Sequence, residues 1–310
     1  MREALINTLF KLAGNDTELM LLTADLGYGV FEEFEETYPN QYLNVGVSEQ
    51  NMIGVASGLA LEKKKVFVYS IGNFPTLRCL EQIRNDACYH ELNVNIIASG
   101  GGFSYGGLGM SHHATEDLSI MRSLPGATVI APATEYEVRA SVMALYQNKG
   151  LGYLRLDKSK VDTANEYMGD FSIGKANKLR SGNDFTLIAI GGITEEAIKA
   201  ADELSKKGIE CTVLSMCTLK PIDKESIVDA CLNTKGIVTI EENNLMGGLG
   251  SAVSEVCLDN NIRPNFFKRI GMKDEYSSIV GGQLFLRSFY GMDSKTIIKR
   301  IDKFISRNLI

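Results

Sequence analysis

Short, continuously apolar runs alternate with helically spaced segments along most of the chain. Leu19-Met20-Leu21-Leu22, Tyr42-Leu43-Asn44-Val45, Val66-Phe67-Val68-Tyr69 and Val94-Asn95-Ile96-Ile97-Ala98 have the length and hydrophobicity of buried strands. Residues 51–61 predict a helix rich in small side chains, and residues 79–89 predict another. Thr128-Val129-Ile130-Ala131 is a further strand, followed by a helix over 135–147 and the strand Gly152-Tyr153-Leu154-Arg155-Leu156. From 158 to 183 the pattern weakens into polar residues with Gly169, Gly174 and Gly182, the composition of a linker. A second alternating unit then sets strands over 186–190, 211–214 and 237–240 between helices over 195–206 and 224–231. The turn Gly247-Gly248-Leu249-Gly250 opens one more helix. Strands alternating with helices imply parallel sheets covered on both faces. The expected fold class is α/β, with two doubly wound, mostly parallel-sheet domains in series: 1–160, a linker over 161–183, and 184–310.

Composition narrows the partners. The 310 residues are 45% hydrophobic and 23% charged, an ordinary globular balance. A net charge of −6 without a long Lys/Arg run gives nucleic acid or an anionic membrane little attraction. An anionic ligand would therefore depend on a few placed cations. The six cysteines form no C-x-x-C pair and mostly sit in apolar stretches, as reduced thiols of a cytoplasmic protein do. His90, His112 and His113 are the three histidines, too few for a histidine-rich metal site. Met1-Arg2-Glu3-Ala4 does not read as a signal peptide, and the apolar runs are too short to span a bilayer.

Three segments carry candidate chemistry. In the stretch from Asn44 to Ala60, Glu49 stands where a strand ends and a small-residue helix begins. One reading is capping, with Ser48 as N-cap and Glu49 favoured by the helix dipole. The other is a shielded carboxylic acid that shares a proton with a ligand nitrogen. Phe74, in Tyr69-Ser70-Ile71-Gly72-Asn73-Phe74-Pro75, follows a strand at the edge where open α/β sheets bind ligands, although it also suits a core. The run Gly100-Gly101-Gly102-Phe103-Ser104-Tyr105-Gly106-Gly107-Leu108-Gly109-Met110-Ser111-His112-His113 allows close backbone approach and ends in two proton-transfer side chains. Those histidines have a second reading as caps for a helix near Glu116-Asp117. The late Gly248-Leu249-Gly250 turn is read as structural, since a dinucleotide-binding turn belongs to the first βα unit.

Taken in order, these segments resemble the C-terminal two-thirds of transketolases, or a separately encoded C-terminal subunit of that family. Thr23-Ala24-Asp25-Leu26 resembles the family's G-S-A-D-L, and Val47-Ser48-Glu49-Gln50-Asn51-Met52 its R-E-H-G-M. Met110-Ser111-His112 resembles P-T-H, and Ser111-His112-His113 is similar to the T-H-H of deoxyxylulose-phosphate synthases. Glu241-Glu242-Asn243-Asn244 with Gly247-Gly248-Leu249-Gly250 resembles the signature of the last domain. The resemblance implies a thiamine-diphosphate pyrimidine-binding fold followed by a transketolase C-terminal domain. It implies thiamine diphosphate and Mg2+ as cofactors, and transfer of a two-carbon ketol unit between sugars or sugar phosphates.

By the same resemblance, Glu49 pairs with the pyrimidine nitrogen and drives the reactive imino tautomer of the cofactor. Phe74 stacks on the pyrimidine, with Ile71 and Leu77 beside it where the family has aromatics, and Asp25 lies near the cofactor. His112 and His113 face the substrate, while Arg155 and Arg2 grip a sugar-phosphate terminus. No G-D-G motif occurs in the chain. A second polypeptide is then expected to supply the diphosphate and Mg2+ site, in a dimer of heterodimers. Leu108, Gly100 and Gly29 depart from substrate-reading positions of the family, which loosens the link to pentose phosphates. Competing expectations are the β subunit of a 2-oxoacid dehydrogenase, a deoxyxylulose-phosphate-synthase-like enzyme, or a non-catalytic assembly subunit.

Overall fold

The computed structural model describes residues 1–161 and 171–308. In chain order its strands are β1 (Leu19–Thr23), β2 (Tyr42–Asn44), β3 (Lys65–Ile71), β4 (Val94–Ser99), β5 (Thr128–Ile130) and β6 (Gly152–Leu156), then β7 (Asn177–Arg180), β8 (Phe185–Ile190), β9 (Cys211–Ser215), β10 (Thr218–Lys220), β11 (Ile237–Asn244) and β12 (Phe267–Met272). The first sheet has the order β10-β5-β6-β4-β3-β1-β2 and the second β12-β11-β8-β9-β7. Pairing is parallel except at two edges, where β10 runs against β5 and β7 against β9. The expected α/β class with mostly parallel sheets is what forms.

Every residue of β4, β5 and β6 is buried, as both-face coverage requires. On one face of the first sheet, helices Arg2–Ala13 and Glu135–Gln147 pack together through Leu5, Leu9, Val138 and Val142. On the other, helix Glu49–Leu61 buries Met52, Ile53 and Ala56 against Val66, Val68 and Ile96. The second sheet is covered by helices Thr194–Ser205 and Ser294–Asn308 on one face, where Ala197, Leu204, Ile297 and Ile301 join one core. Helices Lys224–Asn233 and Leu249–Asp259 cover the other. Among the described residues, no helix is long and apolar enough to cross a membrane.

Three strands went unread in the sequence. β7 lies inside the segment expected to be linker, of which residues 162–170 lie outside the described residues. It is a polar edge strand, with only Asn177 buried, so it lacks the apolar run that marks a central strand. β10 is three residues long and leaves the second unit to extend the first sheet, so the boundary between the units is interleaved. β12 is an edge strand with three of its six residues only partly covered and one exposed. The helix expected over 79–89 forms as a short turn, Leu80–Gln82, running into a π-helical segment, Ile83–Cys88, and a separate short helix, Phe74–Leu77, precedes it.

Parallel pairing sets the carboxyl ends of β1, β2, β3, β4 and β6 along one edge of the first sheet. The segments holding Asp25, Glu49, Phe74, the glycine run and Lys158 follow those five ends in turn. Open α/β sheets hold ligands at this edge.

Candidate active site

Glu49 is the first residue of helix Glu49–Leu61 and is only 4% exposed. Ser48 occupies the N-cap position but makes no side-chain cap; its hydroxyl donates instead to Val45 O at 3.0 Å. The capping reading therefore fails for the serine, and Glu49 is left as a buried acid at the rim. Arg78 Nη1 donates to Glu49 Oε2 at 3.1 Å. Burial, with the Glu49 charge adding to it, pushes the neighbouring Cys79 thiol up to about 12. All six cysteines are buried free thiols.

Phe74 is half-buried at the start of its short helix, between the core and the rim. The Arg78 guanidinium lies 4.3 Å over its ring, and His112 meets it edge-on with centroids 5.2 Å apart. Arg78, four residues after Phe74, went unread. Its signal was the i,i+4 spacing, which brings two side chains together on one helical face. Glu49, Arg78, Phe74 and His112 thus form one contiguous group drawn from three segments. Ile71 at the end of β3 is half-buried beside it, and Leu77 is exposed.

His112 Nδ1 lies 3.0 Å from Ser111 Oγ, and its ring is 6.4 Å from that of Tyr105. His113 points the other way. It is 2% exposed, its Nε2 lies 3.1 Å from Gly106 O, and it meets Phe103 edge-on. The expected substrate role does not suit a ring turned inward to brace its own loop.

Asp25 is exposed and takes a left-handed backbone with φ 55°. Its N–H donates to Asn44 Oδ1 at 2.9 Å, and its carboxylate accepts Asn44 Nδ2 at 3.3 Å. It lines a cleft of about 170 Å³ with Tyr28, Phe31, Glu32 and Tyr42. Arg2 is exposed on the first helix beside the Tyr69 hydroxyl, which burial pushes up and the Arg2 guanidinium partly pulls back.

Arg155 departs most from expectation. It is 2% exposed within β6, and its Nη1 donates to Asp117 Oδ1 at 3.2 Å. Its Nη2 donates to Glu242 O at 2.8 Å, and Asp157 lies 3.8 Å from Nε. Burial opposes its charge, but Asp117, Asp157 and Glu242 together hold its pKa above the usual range. A guanidinium so enclosed has no face to offer a sugar phosphate, because a side chain within a central parallel strand is covered on both sides. Lys158, just past the strand's end, reaches the rim instead. Its Nζ lies 3.9 Å over the Tyr105 ring, with no carboxylate paired to it among the described residues.

Among the described residues, no group of three or more His, Cys, Asp or Glu side chains is arranged to hold a metal ion. The donor set does fit a heteroaromatic ring with a basic nitrogen: a buried carboxylate beside a half-buried aromatic face, with an imidazole across from it.

A two-sheet α/β chain with a buried glutamate and a stacking aromatic on one sheet edge has the outline of a thiamine-diphosphate enzyme's pyrimidine-binding half. Family comparisons agree. Residues 1–163 match the transketolase pyrimidine-binding domain and residues 174–297 the transketolase C-terminal domain. The chain is 34% identical to an apulose-4-phosphate transketolase subunit of Phocaeicola vulgatus, over 99% of this chain and 97% of that one. It is 35% identical to a 6-deoxy-6-sulfo-D-fructose transketolase subunit of Clostridium sp. strain MSTE9, over 96% and 92%. It superposes on a split-gene transketolase, an inactive β4 tetramer, with TM-score 0.86 and 35% identity, covering 97% and 96% of the two chains. The chain belongs to the transketolase family, whose members are transferases.

Proposed function

We propose that this chain is the pyrimidine-binding subunit of a two-component transketolase, and that it moves a two-carbon ketol unit between sugars only when joined to a diphosphate-binding subunit. The observation that carries the reading is Glu49: a carboxylate 4% exposed, at the first position of its helix five residues after β2 ends, and tied through Arg78 to the Phe74 ring. A separate polypeptide with a G-D-G motif supplies the diphosphate and Mg2+ contacts, in a cytoplasmic dimer of heterodimers. Thiamine diphosphate, when bound, supplies the carbanion chemistry that breaks the ketose carbon–carbon bond.

In this reading the Glu49 carboxyl group shares a hydrogen bond with the pyrimidine nitrogen, and its burial keeps water from competing for that contact. Phe74 orients the ring by its face, with Ile71 and Leu77 closing the sides, and Asp25 and Asn44 shape the rim nearby. His112 stands across from Phe74, where it hydrogen-bonds a sugar oxygen and moves a proton there. Lys158 and Arg2, rather than the buried Arg155, hold an anionic sugar terminus. Two of the relatives are named for anionic sugars, one a phosphate and one a sulfonate. The same pair of cations suits either group.

The test is to purify this chain with its G-D-G partner, add Mg2+ and thiamine diphosphate, and follow ketose cleavage with an aldose acceptor. Turnover that Glu49→Gln abolishes supports the reading. A complete complex that consumes no ketose, or one whose turnover survives Glu49→Gln, overturns it.

A further inference from the structure

The two domains meet across buried charges that the site above does not use. Glu242, on β11 of the second domain, is 1% exposed. Its Oε1 accepts the Phe103 N–H at 2.5 Å, and its Oε2 accepts Arg287 Nε at 2.5 Å. Gln283 Nε2 adds a contact of 3.0 Å to Oε1, and Arg287 Nη2 donates to Ser159 Oγ at 2.7 Å. The glycine run lies directly against this carboxylate. Gly102 has φ 55°, and a Cβ there would stand 2.6 Å from Glu242 Cγ.

The contact reaches the rim through very few bonds. Gly102 exchanges both backbone hydrogen bonds with Ala114, at 2.8 and 3.0 Å. That closes residues 102–114 into a strap, and His112 stands on it. On its far side Asn73 Nδ2 donates to His113 O at 2.7 Å and to Ser111 O at 3.3 Å. Asn73 adjoins Phe74. The strap is therefore held by the second domain, at Phe103 and again where the Gly281 N–H donates to Gly106 O at 3.2 Å, and at its closing end by the segment that carries the aromatic face.

We propose that Glu242, itself held by Arg287, is a positioning residue: a second-domain carboxylate that fixes the glycine strap and thereby places His112 at the rim. The role of His112 in turnover rests on the transketolase reading; the clamp on the strap does not. A carboxylate suits this place because a charged acceptor binds a backbone N–H more strongly than a neutral one. Its burial is tolerable because Arg287 neutralises it, so removing either partner alone leaves an uncompensated buried charge.

The test compares wild type, Glu242→Gln and the double variant Glu242→Gln/Arg287→Met, which removes both charges and spares the fold. Amide hydrogen exchange is measured on the full chain, and kcat, KM and thiamine-diphosphate Kd are measured on the complex with its partner subunit. In the double variant the expected result is exchange at least about tenfold faster at Phe103 and over residues 106–112, with other amides unchanged, whereas Glu242→Gln alone adds a general rise from the stranded Arg287 charge. Ketose kcat/KM falls by at least about tenfold while cofactor Kd stays put, and the loss vanishes in a His112→Ala background, since residues acting as a unit are not additive. Unchanged exchange at Phe103, or a loss that multiplies with that of His112→Ala, overturns the proposal. If exchange rises as described but wild type turns over no ketose, the clamp stands and the transketolase reading falls.

Discussion

Arg78 donates to Glu49 Oε2 at 3.1 Å while the same guanidinium covers the Phe74 ring at 4.3 Å. One side chain thereby ties the buried acid to the aromatic face, so the two groups are held in a shared geometry before anything binds between them. Substituting either one should then give separable effects. Glu49→Gln keeps size and polarity but can neither carry the carboxylate charge nor exchange a proton. Activity of the complex is expected to fall by about 10²–10⁴-fold, the usual worth of a general acid–base group. Circular dichroism and the melting curve of the isolated chain should stay as in wild type.

Phe74→Ala removes a face rather than a proton. Stacking of this kind is worth about 0.5–1.5 kcal/mol beyond simple burial, so thiamine-diphosphate Kd should rise by about two- to thirteenfold. Turnover at saturating cofactor should change far less. Titrating cofactor into the complex by calorimetry checks the first number, and kcat at excess cofactor the second. Equal losses in both would mean that the ring acts on chemistry and not on placement.

Arg155 and Lys158 are three residues apart, and the strand end between them separates their roles. Arg155→Met breaks a buried ion pair and strands Asp117, a change that typically costs about 3–5 kcal/mol. Its denaturant midpoint should drop sharply. Lys158→Ala touches an exposed ammonium over Tyr105 and should leave stability within about 0.5 kcal/mol of wild type. Its cost should appear as a higher KM for phosphorylated or sulfonated ketoses and an unaltered KM for neutral ones. A Lys158→Ala complex that treats both kinds of ketose as wild type does would remove the lysine from the site.

The same pair shows how far the sequence could be read. Helix Glu135–Gln147 and strand β6 appear with the bounds expected of them, because apolar periodicity is a local property. Glu49 and Phe74 were legible because each stands where a strand run gives way to a helix or loop. Arg155 was misplaced because a cation inside a buried strand looks, in one dimension, like a cation near its end. The carboxylates that enclose it, Asp117 and Asp157, come from a helix start and a strand end 40 residues apart. The Glu242 contact with Phe103 joins positions 139 residues apart on different domains. No local pattern records such a pairing. β7 and β10 escaped for another reason, since edge strands of three or four residues bury too little to need an apolar run.

Glu241, next to the clamp carboxylate, gives a test by pH. It is fully buried, and its two oxygens accept the N–H groups of Leu249 at 2.7 Å and Gly250 at 2.8 Å, at the start of helix Leu249–Asp259. Burial outweighs those bonds and pushes its carboxyl up to about 7, from the usual 4.5. Between these values the folded chain keeps a proton that the unfolded chain has released. The stability linked to that proton is full below about pH 4.5 and is lost as pH rises through about 7, a difference of about 3 kcal/mol. Glu241→Gln cannot ionise and still offers an oxygen to the helix start. Unfolding free energies from urea titrations at about pH 5 and about pH 8 should therefore diverge for wild type by about 2–3 kcal/mol more than for the variant. Parallel profiles would mean that Glu241 ionises in the folded chain as readily as in the unfolded one, with the two N–H groups of the helix start stabilising its charge enough to offset burial.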